Sequence, residues 1–242
     1  MDRKRVLVSW SGGKDSAWAL YLLLQRPEVE VVGLLTTINA QFQRVAMHGF
    51  REELLERQAA AAGLPLCTVP LPWPCSNEQY EAAMSACCAR AVAEGVEAIA
   101  FGDLFLEDIR AYREAKLAGT GLEPIFPCWR IPTDQLAREM IAAGVRAHLV
   151  CVDPRQLDGR FAGRLFDEAL LDELPDRVDP CGERGEFHTF VSAGPMFARD
   201  GRSRSIEVRR GEIVERDGFV YADLLAAQSS SEILEENLAP LR

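Results

Sequence analysis

Residues 6–20, VLVSWSGGKDSAWAL, place two adjacent glycines between an apolar segment and a helical pattern. Residues 6–9 predict a buried strand, and residues 15–25 predict a helix. A glycine pair allows backbone conformations that other residues avoid, so successive N–H groups can converge on an anion. The helix that follows directs its positive end toward the same point. The stretch therefore predicts a phosphate-binding turn between a strand and a helix.

The side chains of this turn support the same interpretation. Ser11 and Ser16 provide hydroxyl donors, and Lys14 provides a mobile cation for charge that develops on a phosphate chain. The spacing differs from the G-x-x-x-x-G-K-S/T motif, so hydrolysis of a γ-phosphate is not indicated. The alternative is a plain turn capped by Asp15, but such a turn does not require Ser, Gly, Gly, Lys and Ser together.

Strand-like and helix-like segments alternate through the first half of the chain. After the phosphate-binding turn, strands are predicted to begin at Val29, Leu66 and Glu97, and helices are predicted over about 49–62 and 78–94. Near-continuous apolar strands separated by amphipathic helices are typical of a parallel sheet covered on both faces. We therefore expect an α/β fold with a doubly wound parallel sheet.

The pattern changes near Pro124, where PIFPCWRIPT contains three prolines and a tryptophan. Because such a segment breaks regular structure, we predict a first domain over residues 1–131. Beyond it, a strand in AHLVCV, a β-rich segment and two helices predict a second, smaller α+β domain over 132–225. The helices are predicted over 134–143 and 164–174, and the β-rich segment over 187–221. Residues 226–242 are expected to form a tail, either a loosely docked helix or partly disordered.

Composition limits the environment and the partners. No apolar run approaches the roughly 20 residues that span a bilayer, and the first five residues, MDRKR, lead straight into a strand. We therefore expect a soluble cytoplasmic protein without a membrane partner. The formal net charge of -10 argues against a broad nucleic-acid-binding surface, so nucleic acid is not an expected partner.

The cysteines predict no disulfide framework. There are seven, an odd number, and they form no C-x-x-C motif. Cys87 and Cys88 lie within a helical pattern, and we expect both to pack in the core because free cysteine is among the most buried residue types.

SGGKDS resembles the PP-loop of the ATP pyrophosphatases, which include asparagine, GMP and NAD synthetases, tRNA thiolation enzymes and lysidine synthetases. The resemblance implies a Rossmann-like fold of the adenine nucleotide alpha hydrolase type, with ATP and Mg²⁺ as cofactors. It also implies that AMP is attached to a substrate oxygen, pyrophosphate is released, and a nitrogen or sulfur nucleophile displaces the AMP. The adenine would meet the strand at Leu35 and Thr36. The triphosphate would be held by Ser9, Ser11, Gly12, Gly13, Lys14, Asp15 and Ser16.

Three further stretches resemble blocks of the diphthine–ammonia ligase (diphthamide synthase) family: AMHGFREELLERQAAAAGLPL, FGDLFLEDIRAYREAKLAGTGLEPIFPCW and CGERGEFHTFVSAGPMF. This family has a PP-loop domain followed by a smaller α/β domain. Its chemistry implies ATP-dependent amidation of a carboxylate on a modified histidine of elongation factor 2. GERGEFHT departs from the Gly-Glu-Gly-Gly-Glu-Tyr-Glu-Thr of eukaryotic and archaeal members and resembles the bacterial branch, in which diphthamide is not expected. We therefore expect this chain to share the family's type of reaction, whereas the resemblance does not establish that it shares the substrate.

The middle block suggests residues that bind the substrate. Gly102 and Asp103 end a strand of the parallel sheet, the edge at which ligands collect, so Asp103 is a candidate for catalysis and for magnesium binding. On the next helix the resemblance suggests Arg110, Arg113 and Glu114. Arg110 and Glu114 are four residues apart and could equally form an exposed ion pair. Asp103 could equally cap the helix.

The first and last blocks complete the candidate site. His48 precedes a helix, where a polar residue can either bind substrate or cap. Glu183 and Glu186 are candidates to hold ammonium or to accept its proton, because an amine attacks only after losing one. His188 could share that role, since its ordinary pKa of about 6.5 lies near working pH. Thr189 follows as a candidate for substrate binding. An ordinary turn into a strand is the alternative for this block.

Together these features predict an enzyme that adenylates a carboxylate and transfers ammonia to it. The expected partners are ATP, ammonia and an unidentified carboxylate acceptor, either a small molecule or a protein side chain. No glutaminase-sized domain is present, so ammonia would come from solution or from another protein. The sequence is compatible with a homodimer but does not determine the oligomeric state. The alternatives are a PP-loop sulfur transferase acting on tRNA and a nucleotide-sensing module without turnover.

Overall fold

The computed structural model describes residues 2–45, 48–199 and 202–227. Its first sheet has five parallel strands in the order β4-β2-β1-β5-β6, and β3 pairs antiparallel with the end of β2. These strands are β1 (Lys4–Ser9), β2 (Val29–Asn39), β3 (Arg44–Val45), β4 (Leu66–Leu71), β5 (Ala98–Ala100) and β6 (Glu123–Ile125). The later strands are added on both sides of β1, with β2 and β4 on one side and β5 and β6 on the other. This change of direction opens a crevice at the carboxyl end of β1. The predicted doubly wound α/β fold is confirmed.

Helices cover both faces of this sheet. They are α1 (Lys14–Leu24), α2 (Glu52–Ala62), α3 (Asn77–Ala93) and α4 (Glu107–Leu117), and α5 (Thr133–Ala142) and α6 (Glu168–Glu173) follow. Side chains alternate along β1, so Val6 and Val8 pack in one core cluster with α1 and α2, while Leu7 packs in a second cluster with α3. Cys87 and Cys88 of α3 are buried in that second cluster, as predicted. All seven cysteines lie in the described part of the chain as free thiols.

The second sheet is antiparallel, with the strand order β11-β12-β7-β8. Its strands are β7 (Arg146–Val152), β8 (Phe187–Ala193), β11 (Val208–Arg216) and β12 (Phe219–Ala226), and β9 (Ala198–Arg199) pairs with β10 (Arg202–Ser203). This confirms the predicted second α+β unit. A single core cluster contains residues of both sheets, such as Val8 and Phe190. The division into 1–131 and 132–225 stays a proposal, and the predicted tail lies outside the described residues from 228 onward.

Two predicted elements need correction. The helix expected over 164–174 covers only Glu168–Glu173, because the Asp167 carboxylate accepts the N–H of Leu170 and caps the helix there. The segment around Pro124 was expected to lack regular structure, but β6 includes this proline. β6 is an edge strand, where a missing N–H can face away from the neighbouring strand. Within the described residues, no helix has the length and apolar character needed to cross a membrane.

Candidate active site

The glycine pair allows a close approach between the predicted phosphate loop and the elements around it. Gly12 has φ +76°, and a Cβ there would lie 2.4 Å from the buried ring of Phe50. Gly13 has extended backbone and caps α1, and a Cβ there would lie 2.9 Å from the His48 ring. Both positions therefore require glycine, and the loop lies tightly against its neighbours.

A buried glutamine holds the loop in place. Gln58 of α2 donates from Nε2 to the carbonyls of Gly12 (2.9 Å) and Val191 (2.8 Å), while its Oε1 accepts the indole N–H of Trp10 (3.0 Å). The N–H of Val191 donates to the same Gly12 carbonyl at 2.9 Å. Sequence reasoning missed Gln58, although a glutamine on the apolar face of a helix was an available signal. The loop is therefore anchored to both α2 and β8.

Hydroxyl groups line the loop side of the cleft. Ser9, Ser11 and Ser16 all face it, and the Oγ atoms of Ser11 and Ser16 lie 3.1 Å apart. Ser16 also donates to the Gly13 carbonyl at 3.0 Å. The Thr189 hydroxyl, predicted to bind substrate, instead accepts the Lys14 N–H at 3.0 Å, and Thr189 is not among the described residues that line the cleft.

The side chain of Lys14 points away from the cleft. Its Nζ donates to Asp15 Oδ2 at 2.9 Å and to the Cys181 carbonyl, and it lies 5.6 and 5.4 Å from the ring centroids of Phe166 and Phe187. The side chain is only 2% exposed. Burial is the largest single influence and lowers the pKa of Lys14, but Asp15, Cys181 and Glu183 together outweigh it and raise the pKa above its ordinary value. The expected mobile cation for phosphate is therefore a fixed, internal one.

Asp15 lines the cleft and has one carboxylate oxygen without a partner among the described residues. Burial raises the pKa of this carboxyl group, although Lys14 opposes the shift. The Oδ1 atom is buried and has no hydrogen-bond partner in the part of the chain that the structure describes. Such an oxygen is suited to a cation or to a donor brought by a ligand.

The end of β5 brings a second carboxylate to the cleft. A Cβ at Gly102 would lie 2.7 Å from the Asp15 carbonyl carbon and the Ser16 nitrogen, so β5 meets the start of α1. Asp103 Oδ2 accepts a hydrogen bond from Arg113 Nε at 3.3 Å. The Cζ atom of the Arg113 guanidinium lies over the Phe101 ring, 4.7 Å from its centroid. Gly102, Asp103 and Arg113 all line the cleft.

Arg110 and Glu114 are not among the described residues that line the cleft. They form an ion pair of 2.8 Å on the surface of α4, and the Arg110 guanidinium lies 4.8 Å from the ring centroids of both Phe126 and Trp129. The geometry matches the exposed-pair alternative.

Glu183 is the third carboxylate on the loop side. Its Oε1 accepts the Leu104 N–H at 2.7 Å, and the residue lines the cleft. Burial raises the pKa of Glu183 to about 7, and the charges of Asp15 and Asp103 act in the same direction. This carboxylate can therefore exchange a proton near neutral pH.

Glu186 has different surroundings. It is 1% exposed, with Oε1 accepting the Asp179 N–H and Oε2 the Arg184 N–H, both at 2.9 Å. It is not among the described residues that line the cleft. In this geometry both carboxylate oxygens of Glu186 hold the turn that carries Glu183.

Two histidine rings close the cleft beside the phosphate loop. Those of His48 and His188 lie 4.7 Å apart between centroids, and His48 Nδ1 is 3.1 Å from the Thr189 carbonyl. Burial lowers the pKa of His48 to about 3 and that of His188 to about 4. Both imidazoles are therefore uncharged at neutral pH.

An ion-pair cluster fixes the segment that carries His48. Asp223 of β12 accepts from Arg44 Nη1 at 3.1 Å and from Arg51 Nη2 at 2.7 Å. Arg44 Nη1 also donates to the Gly49 carbonyl at 2.6 Å, and a Cβ at Gly49 would lie 2.8 Å from the Tyr221 ring. No local pattern in the sequence points to Asp223, whose partners lie more than 170 positions away.

The cleft measures about 1220 Å³ and continues from the loop along the end of β2. Leu35 and Thr36 line it, together with Thr37 and the exposed aromatic residues Phe42 and Trp73. The Leu35 carbonyl accepts the Trp10 N–H at 2.7 Å, and the Thr36 hydroxyl donates to the Trp10 carbonyl at 2.6 Å. The space exceeds that of a usual single-ligand pocket and suits two ligands side by side.

The residues of this cleft are compatible with Mg²⁺. The described residues contain no group of three or more His, Cys, Asp or Glu side chains arranged as a metal site. Mg²⁺ with a nucleotide commonly needs only one or two carboxylates, since phosphate oxygens and waters supply the other ligands. The unpartnered Asp15 Oδ1 and the cleft-facing Asp103 meet that need.

A doubly wound sheet with a glycine loop and a helix start at its crevice defines an α/β nucleotide-binding protein. The chain belongs to the diphthamide synthase family: residues 4–123 match the model of the diphthamide synthase N-terminal domain, and residues 132–221 match that of the C-terminal domain. Membership of this family does not favour a tRNA sulfur transferase or a nucleotide-sensing module.

Curated relatives support the same family. A diphthine–ammonia ligase of Bos taurus is 26% identical over 263 aligned residues, covering 98% of this chain and 95% of the relative. A diphthine–ammonia ligase of Homo sapiens is 26% identical over 244 residues, covering 90% and 88%. One from Danio rerio is 31% identical over 109 residues, covering 43% of each chain.

Proposed function

We propose that this chain is an ATP-dependent carboxylate–ammonia ligase. It attaches AMP to an acceptor carboxylate, releases pyrophosphate, and transfers ammonia to the acyl carbon with loss of AMP. The observation that carries the proposal is the convergence of Asp15, Asp103 and Glu183 on one cleft beside the Ser11 and Ser16 hydroxyls. The family membership and the names of the relatives agree with this reaction.

In this proposal the triphosphate binds at the start of α1. Backbone N–H groups of the glycine loop and the Ser9, Ser11 and Ser16 hydroxyls contact phosphate oxygens, assisted by the positive end of the helix. Asp15 and Asp103 would hold Mg²⁺, which when bound offsets the negative charge of the phosphates. Lys14 takes no direct part, because its Nζ is committed to Asp15 and the Cys181 carbonyl.

The second half-reaction needs a proton acceptor. Ammonium must lose one proton before its nitrogen can attack the acyl carbon. Glu183, with its pKa raised to about 7, can accept that proton, while the uncharged His188 ring can hydrogen-bond neutral ammonia. Arg113 lines the cleft beside Asp103 and can orient the acceptor carboxylate, since its guanidinium is held 4.7 Å from the Phe101 ring centroid.

The acceptor is defined by its carboxylate and by its fit beside ATP in the cleft. It is a small molecule or a side chain of another protein, and ammonia comes from solution or from a partner. A cytoplasmic location agrees with the family's chemistry, and nucleic acid is not part of the proposal because the net charge is -10.

The test is product analysis with the pure, full-length protein. ATP, Mg²⁺ and ammonium are incubated with fractionated cell extract, and nucleotide and acceptor products are identified by mass spectrometry. The proposal predicts AMP, pyrophosphate, and an acceptor lighter by the difference between OH and NH₂. Formation of ADP and orthophosphate as primary products would refute it. ATP binding without any turnover across all fractions would favour a nucleotide-sensing module instead.

A further inference from the structure

Two cysteines and an arginine form a cluster outside the catalytic part of the cleft. Arg90 Nη2 of α3 lies 2.9 Å from Cys67 Sγ of β4 and 4.0 Å from Cys87 Sγ. One guanidinium nitrogen therefore contacts both sulfur atoms, which places the two thiols next to each other. None of the three is among the described residues that line the cleft.

The two sulfur atoms differ in exposure. Cys67 is half-buried and can meet a small solute, whereas Cys87 is buried in the core cluster between α3 and the sheet. A neighbouring guanidinium favours the thiolate, which is the reactive form of cysteine. The exposed guanidinium contacts the more accessible sulfur at the shorter distance, so the cluster has an attacking thiol and a second thiol beside it.

We propose that Cys67 and Cys87 are a peroxide-sensitive thiol pair, with the Arg90 guanidinium as the hydrogen-bond donor to the Cys67 sulfur. The Cys67 sulfur attacks one oxygen of hydrogen peroxide, the O–O bond breaks, and a sulfenic acid and water form after proton transfer. The Cys87 sulfur then attacks the Cys67 sulfur, the S–S bond forms, and the S–O bond breaks with release of a second water. Two thiols are oxidised by two electrons in total, and one peroxide is reduced to two waters.

The disulfide would join two walls of the cleft. Cys67 is the register partner of Leu35 in the neighbouring strand, and α3 carries the cleft-lining residues Met84 and Cys88. Oxidation would therefore link β4 covalently to α3 directly behind the predicted nucleotide-binding edge of β2. This inference does not depend on the proposed ligase activity.

The experiment treats the full-length protein with hydrogen peroxide, blocks remaining thiols by alkylation, and maps non-reduced peptides by mass spectrometry. We expect an intact mass lower by two hydrogens and a peptide pair linked through Cys67 and Cys87, both reversed by dithiothreitol. Absence of that linked pair, or earlier oxidation of another cysteine, would refute the proposal.

Variants test the assigned roles. In Cys87→Ser, sulfenic acid at Cys67 should accumulate and react with a dione probe. Arg90→Ala should slow oxidation of Cys67 by roughly tenfold at neutral pH, and Arg90→Lys should retain part of the rate. Cys88→Ser, one residue along the same helix, is the matched control and should oxidise like the wild type. An unchanged rate in Arg90→Ala, with the fold verified by circular dichroism, would contradict the role of the guanidinium.

Discussion

Lys14 and Asp15, neighbours in the phosphate loop, form an ion pair with 2.9 Å between Nζ and Oδ2. The Lys14 side chain is 2% exposed and also donates to the carbonyl of Cys181, in the segment that leads to Glu183. The lysine of the loop therefore joins the start of α1 to the turn that precedes β8. The Lys14 ammonium group gives the Asp15 carboxylate a counter-charge in a place where solvent is excluded.

Replacement of Lys14 by Met should destabilise the fold. It leaves the Asp15 carboxylate without its counter-charge, and breaking a buried pair in this way costs about 3–5 kcal/mol. Urea unfolding measures the loss, and calorimetric titration with a non-hydrolysable ATP analogue measures binding to the protein that remains folded. Lys116→Met, which removes an exposed ion pair with Glu81, is the control and should leave stability unchanged. A fully stable Lys14→Met variant that no longer binds the analogue would contradict this structural role and show that Lys14 binds phosphate.

The loop should tolerate no side chain at Gly12. Gly12→Ala adds a Cβ 2.4 Å from Phe50 to a residue with φ +76°, so strain and overlap combine. At Gly218, φ is +80° and a Cβ would meet no atom within 4 Å beyond its chain neighbours, so Gly218→Ala reports the strain alone. We expect a loss of about 1–2 kcal/mol for Gly218→Ala and at least about 1 kcal/mol more for Gly12→Ala in urea unfolding. Equal losses would mean that the space around Gly12 is not restrictive.

The parallel first sheet could be predicted because apolar runs such as Val6–Val8 and the glycine loop are local features. The direction of Lys14 could not, because its partner Cys181 lies 167 positions away along the chain. Glu183 and Glu186 differ for a local reason that the motif does not show. The two carboxylates lie three positions apart in one motif, but backbone N–H groups of the surrounding turn occupy both oxygens of Glu186 alone.

Arg110 and Asp223 show that membership of a motif and position in the cleft are separate properties. Arg110 belongs to a stretch that resembles a family block, yet its guanidinium lies 4.8 Å from the ring centroids of both Phe126 and Trp129 and does not line the cleft. Asp223 belongs to no motif, yet it holds both arginines beside the His48 segment. Motif membership marks a region, whereas the fold decides which of its side chains reach the cleft.

The two cleft histidines should make the protein sensitive to acid. Burial lowers the pKa of His48 to about 3 and of His188 to about 4, below the value of about 6.5 in an unfolded chain. Between these values the unfolded chain binds protons that the folded protein does not, so stability falls as pH decreases below about 6.5. Each histidine contributes at most about 1.4 kcal/mol per pH unit.

His188→Asn removes one of these groups, and its loss of stability between about pH 7 and pH 5 should be smaller than that of the wild type. Urea unfolding at both pH values gives this difference. The comparison is made against the wild type because burial also lowers the pKa of His148, which remains in both proteins. An identical pH dependence in the two proteins would show that His188 is not held uncharged by the fold.

Glu183 and Glu186 allow a matched test of the proton acceptor, since Glu→Gln at either position removes one carboxylate with little change in shape. If Glu183 accepts the ammonium proton, amide formation corrected for free ammonia should rise with pH through about 7 as this carboxyl group ionises. Glu183→Gln should remove that rise and lower amide formation by about 100- to 10,000-fold, with little change in affinity for an ATP analogue.

Glu186→Gln should instead lower the unfolding free energy by about 1–3 kcal/mol, because the amide nitrogen cannot accept one of the two backbone N–H groups. Its turnover should stay near that of the wild type wherever the protein is folded. Loss of amide formation in a stable Glu186→Gln variant, together with normal turnover in Glu183→Gln, would reverse the two assignments.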